Sequence, residues 1–273
     1  MWQFFPFPRQ LQISGLYTAF SHQFKPDYIF RGESHDFYEL VLITQGTVGV
    51  TAGAESFILS APAAILHPPT EFHSIRSEQE TAPHIMIFSF AADTFPMPES
   101  RIFSLTEGTV HRAERVLELL RDATDYHAPH AGAPLPGKEK AAQHALLELE
   151  ILLLTLTEST ITQPQQERSA GAKNYRRALQ IIEENIHLPL TTAEIAQLAH
   201  ISPSLLKKTF ARHAGVGVME YFRNRKINAA IPLLKEDFSV QEIAARLGFS
   251  NASYFSTVFK RVTGHPPGYY KNR

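Results

Sequence analysis

One supersecondary unit occurs twice in the last hundred residues. Thr191-Thr192-Ala193-Glu194-Ile195-Ala196 aligns with Ser239-Val240-Gln241-Glu242-Ile243-Ala244, 48 residues later. Farther on, Phe210 aligns with Phe259, Gly215 with Gly264 and Tyr221 with Tyr270, each pair 49 residues apart, so the second copy carries one extra residue in its turn. Such a repeat constrains the fold more than any single motif, because each copy must be a unit that buries a face against its neighbour. Each copy opens with Thr or Ser and has Glu three residues on, a capping box that satisfies the orphan amides of a helix start. The short helix that follows carries a small residue, Ala196 or Ala244, where a second helix must approach at a steep angle. A tight turn comes next. Gly248 suits positive φ in the second copy, whereas the first has His200, a poorer fit. Ser202-Pro203 then starts one helix, with serine as N-cap and proline in the first helical position; Asn251 or Ser250 starts its counterpart. The pattern predicts two helix-turn-helix units, over 191–213 and 239–263.

In the second helix of each unit, Leu206 and Phe210, or Phe255, Val258 and Phe259, face a core. The opposite faces carry Ser204, Lys207, Lys208 and Ala211 in one copy, and Ala252, Ser253, Ser256, Thr257 and Lys260 in the other. Faces of this kind enter the major groove of double-stranded DNA. The candidate DNA-binding set is therefore Ser202, Ser204, Lys207, Lys208, Asn251, Ala252, Ser253, Ser256, Thr257, Lys260 and Arg261. Charge agrees with this placement. The formal net charge is −1, yet residues 174–273 hold 14 Lys and Arg against 7 Asp and Glu, and the rest of the chain holds 12 against 20. A basic C-terminal domain that neutralises phosphates, joined to an acidic one that does not, accounts for the split.

The C-terminal hundred residues resemble the DNA-binding domain of the AraC/XylS family of transcriptional regulators. The residues that carry the likeness are Ile195-Ala196, Ser202, Leu206, Phe210, Gly215, Tyr221 and Arg225, then Glu242-Ile243-Ala244, Gly248-Phe249-Ser250, Ser253-Tyr254-Phe255, Phe259-Lys260-Arg261, Gly264, Pro267, Tyr270 and Lys271. The resemblance implies a seven-helix domain in which a long central helix holds both units so that they read successive major-groove faces on one side of DNA. Three positions depart from the pattern. Pro232 falls inside the expected connecting helix, about 218–235, where it removes a backbone bond and predicts a kink. Ala211 stands where a basic residue is frequent. Lys271 stands for a closing arginine, keeping the charge and losing the fork.

Residues 10–90 read as β. Runs of β-branched and aromatic residues at 11–20, 38–44, 47–51, 56–59 and 84–90 alternate with Gly, Pro and polar clusters, which predicts a barrel or sandwich. The period then changes to that of helices over 110–126 and 138–158. These helices can cap the barrel or pair with a second copy through Leu146, Leu149 and Leu153, so a homodimer is expected. Residues 159–173 hardly contain a large apolar side chain and read as a linker. The fold class is α+β and multidomain: a cupin-like β-barrel over 1–106, a helical dimerisation segment over 107–158, the linker, and an all-α DNA-binding domain over 174–273 with its two helix-turn-helix motifs.

The first domain resembles a cupin barrel, the usual sensor of this family. Glu33-Ser34-His35, then Glu39 and Gly46, approach the first cupin motif, with Glu33 in place of a histidine; Pro68 and His73 match positions of the second, with Thr70 where glycine is usual. Arg31, His35, Glu39 and His73 are the candidate ligand-pocket residues, with Tyr28, Phe30, Phe72 and Phe88 as further wall candidates. Two imidazoles and a carboxylate suit a divalent metal; the same groups also suit a metal-free pocket, or satisfy one another. Regulators of this layout resemble the metal-free sensors, so neither metal nor cofactor is expected. The N-terminal arm, with Phe4, Phe5 and Phe7 spaced by Pro6 and Pro8, is a candidate cover for an occupied pocket.

The function expected is that of a sequence-specific regulator, not an enzyme, that activates genes in response to a small-molecule effector, a sugar among the candidates, with RNA polymerase as a further candidate partner. A metal-dependent cupin enzyme fused to a DNA-binding domain and a constitutive DNA-binding protein are the alternatives. The chain has no cysteine, no apolar run long enough for a membrane span and no signal-like N-terminus, so a cytoplasmic location without membrane contact is expected.

Overall fold

A computed structural model describes residues 2–95, 97–158, 165–167, 169–236 and 238–271. The N-terminal strands are β1 (Gln12–Gln23), β2 (Tyr38–Gln45), β3 (Thr47–Ala52), β4 (Glu55–Ser60), β5 (Ala63–His67), β6 (His73–Ser77), β7 (His84–Thr94) and β8 (Ile102–Ser104). A two-residue strand, β9 (Gln165–Gln166), joins later. All pairs are antiparallel and form two sheets, ordered β1-β7-β2-β5-β8 and β6-β3-β4-β9. Gly46 at φ +77° turns β2 into β3.

Alternation along the strands divides the side chains between two cores. Val41, Ile43, Ile65, Ile85 and Ile87 of the five-stranded sheet meet Val48, Val50, Phe57 and Leu59 of the other. Their neighbours Leu40, Leu42, Leu66, Met86, Phe88 and Phe90 point outward, where α1 (Glu107–Ala123) and α2 (Glu139–Glu158) cover them. Leu149, Leu152, Leu153 and Leu156 of α2 are buried there, each contributing about 1.5–3 kcal/mol. This corrects the expected dimer seam: Leu149 and Leu153 are used up on the chain's own sheet, and Leu146 packs at the edge of the same cluster. The apolar side chains that α2 leaves exposed are Leu147, Ile151 and Leu154.

The described part of the expected linker carries secondary structure. β9 pairs with β4, and α3 (Ala170–Glu184) begins inside it, capped by Ser169; residues 159–164 and 168 lie outside the described residues. The C-terminal domain continues with α4 (Thr192–Leu198), α5 (Pro203–His213), α6 (Val218–Lys235), α7 (Val240–Arg246), α8 (Ala252–Thr263) and α9 (Pro267–Tyr270), which makes seven helices from α3 to α9 among the described residues. Two cores share α6. Tyr175, Ile182, Ile195, Leu206, Phe210 and Phe222 build one, and Ile227, Leu234, Ile243, Phe255, Val258 and Phe259 the other. Helix α6 runs on through Pro232, which is solvent-exposed.

Candidate ligand cavity and DNA-binding surface

The two capping boxes form as read. Thr191 accepts from the Glu194 amide and Ser239 from the Glu242 amide, and each glutamate reaches back to its cap residue's N–H, at 2.7 and 2.9 Å. Ser202 caps α5 with Pro203 behind it, and Asn251 Oδ1 accepts the Tyr254 amide at 2.8 Å to cap α8. The turns between helices are left-handed in both units, at His200 (φ +54°) and Gly248 (φ +64°). Ser202, Ser204, Lys207, Lys208, Asn251, Ser253, Thr257 and Lys260 are exposed, and Ala252 and Ser256 half-buried. Arg261 is exposed as well, but it lines a cleft with Glu220, Arg223 and Asn224 of α6 and Glu33 and Ser34 of the sensor.

One residue that the sequence did not single out locks the two units together. Lys226 of α6 is buried, and its ammonium donates to the carbonyls of Leu188 (2.8 Å), ahead of α4, and Leu247 (2.7 Å), at the end of α7. It lies 4.6 Å from the Phe222 ring centre. Burial draws its pKa down to about 8.

Between the sheets lies a cavity of about 360 Å³. Its walls are largely apolar: Phe20, Phe24, Tyr28, Phe30, Phe37, Val41, Val50, Ile65 and Ile87. Polar groups gather at one end, where Glu33, Glu39, His67 and His73 line it. Glu39 sits on the inward face of β2, accepts from Ser89 Oγ at 2.9 Å, and has His73 Nε2 3.3 Å from Oε1 and His35 Nε2 3.9 Å from Oε2. Burial opposes its charge, but the three surrounding imidazoles outweigh burial and hold its pKa at about 2. Burial, with His73 beside them, pushes His35 and His67 down to about 4. For His73, too, burial acts against the charged form, and Glu39 and Glu33 overcome it and raise the pKa.

The sequence-predicted pocket set is thus partly corrected. Glu39 and His73 meet at the cavity, and His35 backs them. Arg31 does not: its side chain is 75% exposed and pairs with Glu220 of α6 at 3.3 Å. Of the proposed walls, Tyr28 and Phe30 line the cavity, Phe88 packs under α1 and α2, and Phe72 leaves the sensor altogether. The arm leaves the cavity uncovered. Phe4, Phe5 and Phe7 are exposed, and Arg9 is tied to Glu150 of α2 at 2.7 Å. His67 was missed, although the alternation Ala63, Ile65, His67 places it inward with Ile65. It stacks on His73 with ring centres 4.4 Å apart, and its Nδ1–H donates at 2.9 Å to Glu71, itself paired with Arg101.

Comparison with known proteins matches both halves. Residues 16–130 fit the family model described as an AraC-like ligand binding domain, and residues 195–273 the one described as a helix-turn-helix domain. The chain belongs to the AraC family. An uncharacterized HTH-type transcriptional regulator of Escherichia coli, YpdC, is 34% identical over 133 residues, 48% of this chain and 47% of that one. Another, YfiF of Bacillus subtilis, is 26% identical over 250 residues, 87% of this chain and 77% of that one. The XylDLEGF operon transcriptional activator of Pseudomonas putida is 32% identical over 103 residues, 36% of this chain and 32% of that one. The match therefore spans about half of YpdC and a third of the Pseudomonas activator. Among solved structures, unsaturated-fatty-acid-bound ToxT from Vibrio cholerae is 16% identical, with 95% of this chain and 96% of that one covered and a TM-score of 0.37.

In this AraC-family chain the sensor and the DNA-binding domain touch directly. Phe72 inserts into the first helix-turn-helix core, edge-on to Tyr221 with ring centres 4.6 Å apart. Thr51 and Ser74 both donate to the carbonyl of His213 at the end of α5, at 2.5 Å each. Arg212 pairs with Glu78 at 2.8 Å, and Asn228 donates to Ser34 at 2.7 Å. The segment before β2 lies along β6, with Glu33 and His73 exchanging both backbone bonds at 3.0 Å, and on its other side Gly32 N–H donates to Ala214 at 2.9 Å. The His213 ring is fully buried beside Arg76 and Glu167, and that burial, followed by the Arg76 charge, holds its pKa below the usual imidazole range.

Proposed function

We propose that this AraC-family chain is a sequence-specific DNA-binding regulator of transcription whose hold on DNA responds to a small molecule bound between its sheets. One observation carries the reading. His73 faces the cavity, and its neighbours Phe72 and Ser74 grip the DNA-binding domain. A ligand that moves His73 must move the residues on either side of it, so occupancy changes the seat of α5. A ligand shifts an equilibrium only by preferring one arrangement, and on this reading the two arrangements are the docked and the released DNA-binding domain. The cavity favours an effector with an apolar body and one polar head. A sugar fits less well, because hydroxyls against the aromatic and aliphatic walls would lose their hydrogen bonds.

The test has two stages. Duplexes selected from a random pool by the full chain define the site, and Lys207→Ala or Lys208→Ala should weaken binding to it by about 1–3 kcal/mol wherever the lysine reads a base. Small molecules that raise the melting temperature are then added to the same binding assay. A compound that occupies the cavity yet leaves affinity and footprint unchanged at every salt concentration would sink the coupled reading and leave a constitutive DNA-binding protein. Such a regulator works in the cytoplasm, where the DNA is. We further propose a homodimer through Leu147, Ile151 and Leu154, which share an uncovered stripe of α2. Light scattering should show the dimer, and Ile151→Glu should give monomers; a wild-type monomer at micromolar concentration removes the idea.

A further inference from the structure

The polar end of the cavity holds two imidazole nitrogens without hydrogen-bond partners. His35 Nδ1 lies 3.0 Å from the Phe37 carbonyl and His73 Nδ1 lies 3.1 Å from the Glu71 carbonyl. A carbonyl only accepts, so both Nδ1 atoms carry a proton, and in the neutral rings that a metal ion requires both Nε2 atoms present a lone pair. These two Nε2 atoms are buried and have no hydrogen-bond partner, and His73 is only 4% exposed. What they face is Glu39, an acceptor, with Glu33 Oε1 4.0 Å from His73 Nε2. One ligand atom from each of Glu33, His35, Glu39 and His73 falls within 4.8 Å of the others.

We propose that His35, Glu39 and His73 hold a divalent transition-metal ion, with Glu33 as a fourth ligand at the cavity rim. Donors about 2.0–2.2 Å from a common ion lie roughly 3.3–4.2 Å from one another. His73 Nε2 stands 3.3 Å from Glu39 Oε1 and 4.0 Å from Glu33 Oε1, in that range, while His35 Nε2 is 3.9 Å from the other Glu39 oxygen, so the set, spread over 4.8 Å, closes slightly around the ion. Two imidazoles and one or two carboxylates select zinc, iron or manganese over calcium or magnesium, which take oxygen alone. The outer partners are those a metal site requires: each ligating ring is fixed through Nδ1 by a carbonyl, and Ser89 fixes the second oxygen of Glu39. A single proton on His73 could bridge to Glu39, but it would leave His35 Nε2 bare. The ion's open positions face the cavity, so the effector's polar head would be an oxygen donor such as a carboxylate or hydroxy acid. This last step rests on the effector reading; the metal does not.

The experiment uses the full chain, stripped with a chelator and titrated with Co²⁺ and then Zn²⁺, without DNA or effector. We expect one equivalent of Co²⁺ with visible d–d absorption, displaced by Zn²⁺, and a higher melting temperature with either ion. Glu39→Gln keeps the shape and the Ser89 contact, and His73→Ala removes a ring; each should weaken binding by at least about a hundredfold. Circular dichroism of the stripped variants checks that both are folded, and Glu39→Gln decides the matter should His73→Ala unfold. Absence of a stoichiometric Co²⁺ spectrum in the folded wild type overturns the proposal, as does a spectrum that Glu39→Gln leaves intact.

Discussion

The two helix-turn-helix units are near copies, yet their C-terminal ends differ in what they meet. Gly215 and Gly264 occupy equivalent left-handed turns, at φ +68° and +79°. A Cβ on Gly264 would meet nothing within 4 Å, whereas one on Gly215 would lie 2.3 Å from the Phe30 carbonyl of the sensor. Arg212 reaches Glu78, and its counterpart Arg261 borders an open cleft. His213 is fully buried where the second unit has the half-buried Val262. Among the described residues, no hydrogen bond from α8 reaches the sensor, while the α5 end accepts two side-chain hydroxyls from it. One unit is a docking partner as well as a DNA reader; the other answers chiefly to DNA. Where two copies of a sequence diverge, the divergence marks the surface that gained a second task.

The comparison breaks most sharply at Phe72. Phe72→Ala empties an aromatic site in the first unit and should cost about 3–5 kcal/mol, releasing the DNA-binding domain to protease while the second unit keeps its protection from hydrogen exchange. Equal loss of protection in both units would mean that the docking is not confined to one copy. The glycine pair is the next test. Gly264→Ala should cost only the left-handed penalty of about 1–2 kcal/mol. Gly215→Ala must also push the sensor backbone away, so its thermal destabilisation should be clearly larger; equal shifts would contradict the docked arrangement.

Acidity should separate the units more gently. His213 is buried with its pKa lowered, facing Arg76, Arg212, Glu78 and Glu167. A released imidazole binds a proton below about pH 6.5, whereas the docked ring resists it. Docking is therefore fully present above that value and weakens as pH falls, by at most about tenfold per pH unit. Proteolysis between the domains from pH 7.5 to 5 reads this directly, and His213→Gln should flatten the profile. The smallest effect is at the turn. His200 holds the conformation that Gly248 adopts freely, so His200→Gly should change stability by less than about 1 kcal/mol, with relieved strain set against added chain entropy. A loss of several kcal/mol would show that the imidazole does more than fill the turn.

Features held by near neighbours in the chain were legible beforehand. Capping boxes, the Ser202-Pro203 start and the left-handed turn at His200 depend on residues three or four apart, and each stands where the spacing placed it. Glu39 and His73 could be read because strand alternation fixes which face a residue takes. What alternation and helical period cannot give is the object a face meets. Leu149 and Leu153 were correctly apolar and wrongly paired, since the five-stranded sheet of the same chain claims them. Arg31 and Phe72 looked like cavity residues and turned out to contact α6, 189 and 149 positions farther along. Long-range partners of this sort depend on how two domains come together, which no local window contains.

Lys226 has a consequence for anyone recombining such proteins. Its ammonium is a rivet through both reading units, fastening the approach to α4 and the end of α7 to one shared shaft. Near that joint a Cβ on Gly248 would already collide with the His187 carbonyl, 2.4 Å away. Both contacts are made to backbone, so exchanging one unit for that of a relative keeps them only if the main chain at 187–188 and 247–248 is reproduced closely. The transferable cassette is the stretch from α3 to α9, moved whole, and the stagger between its two reading heads travels with it.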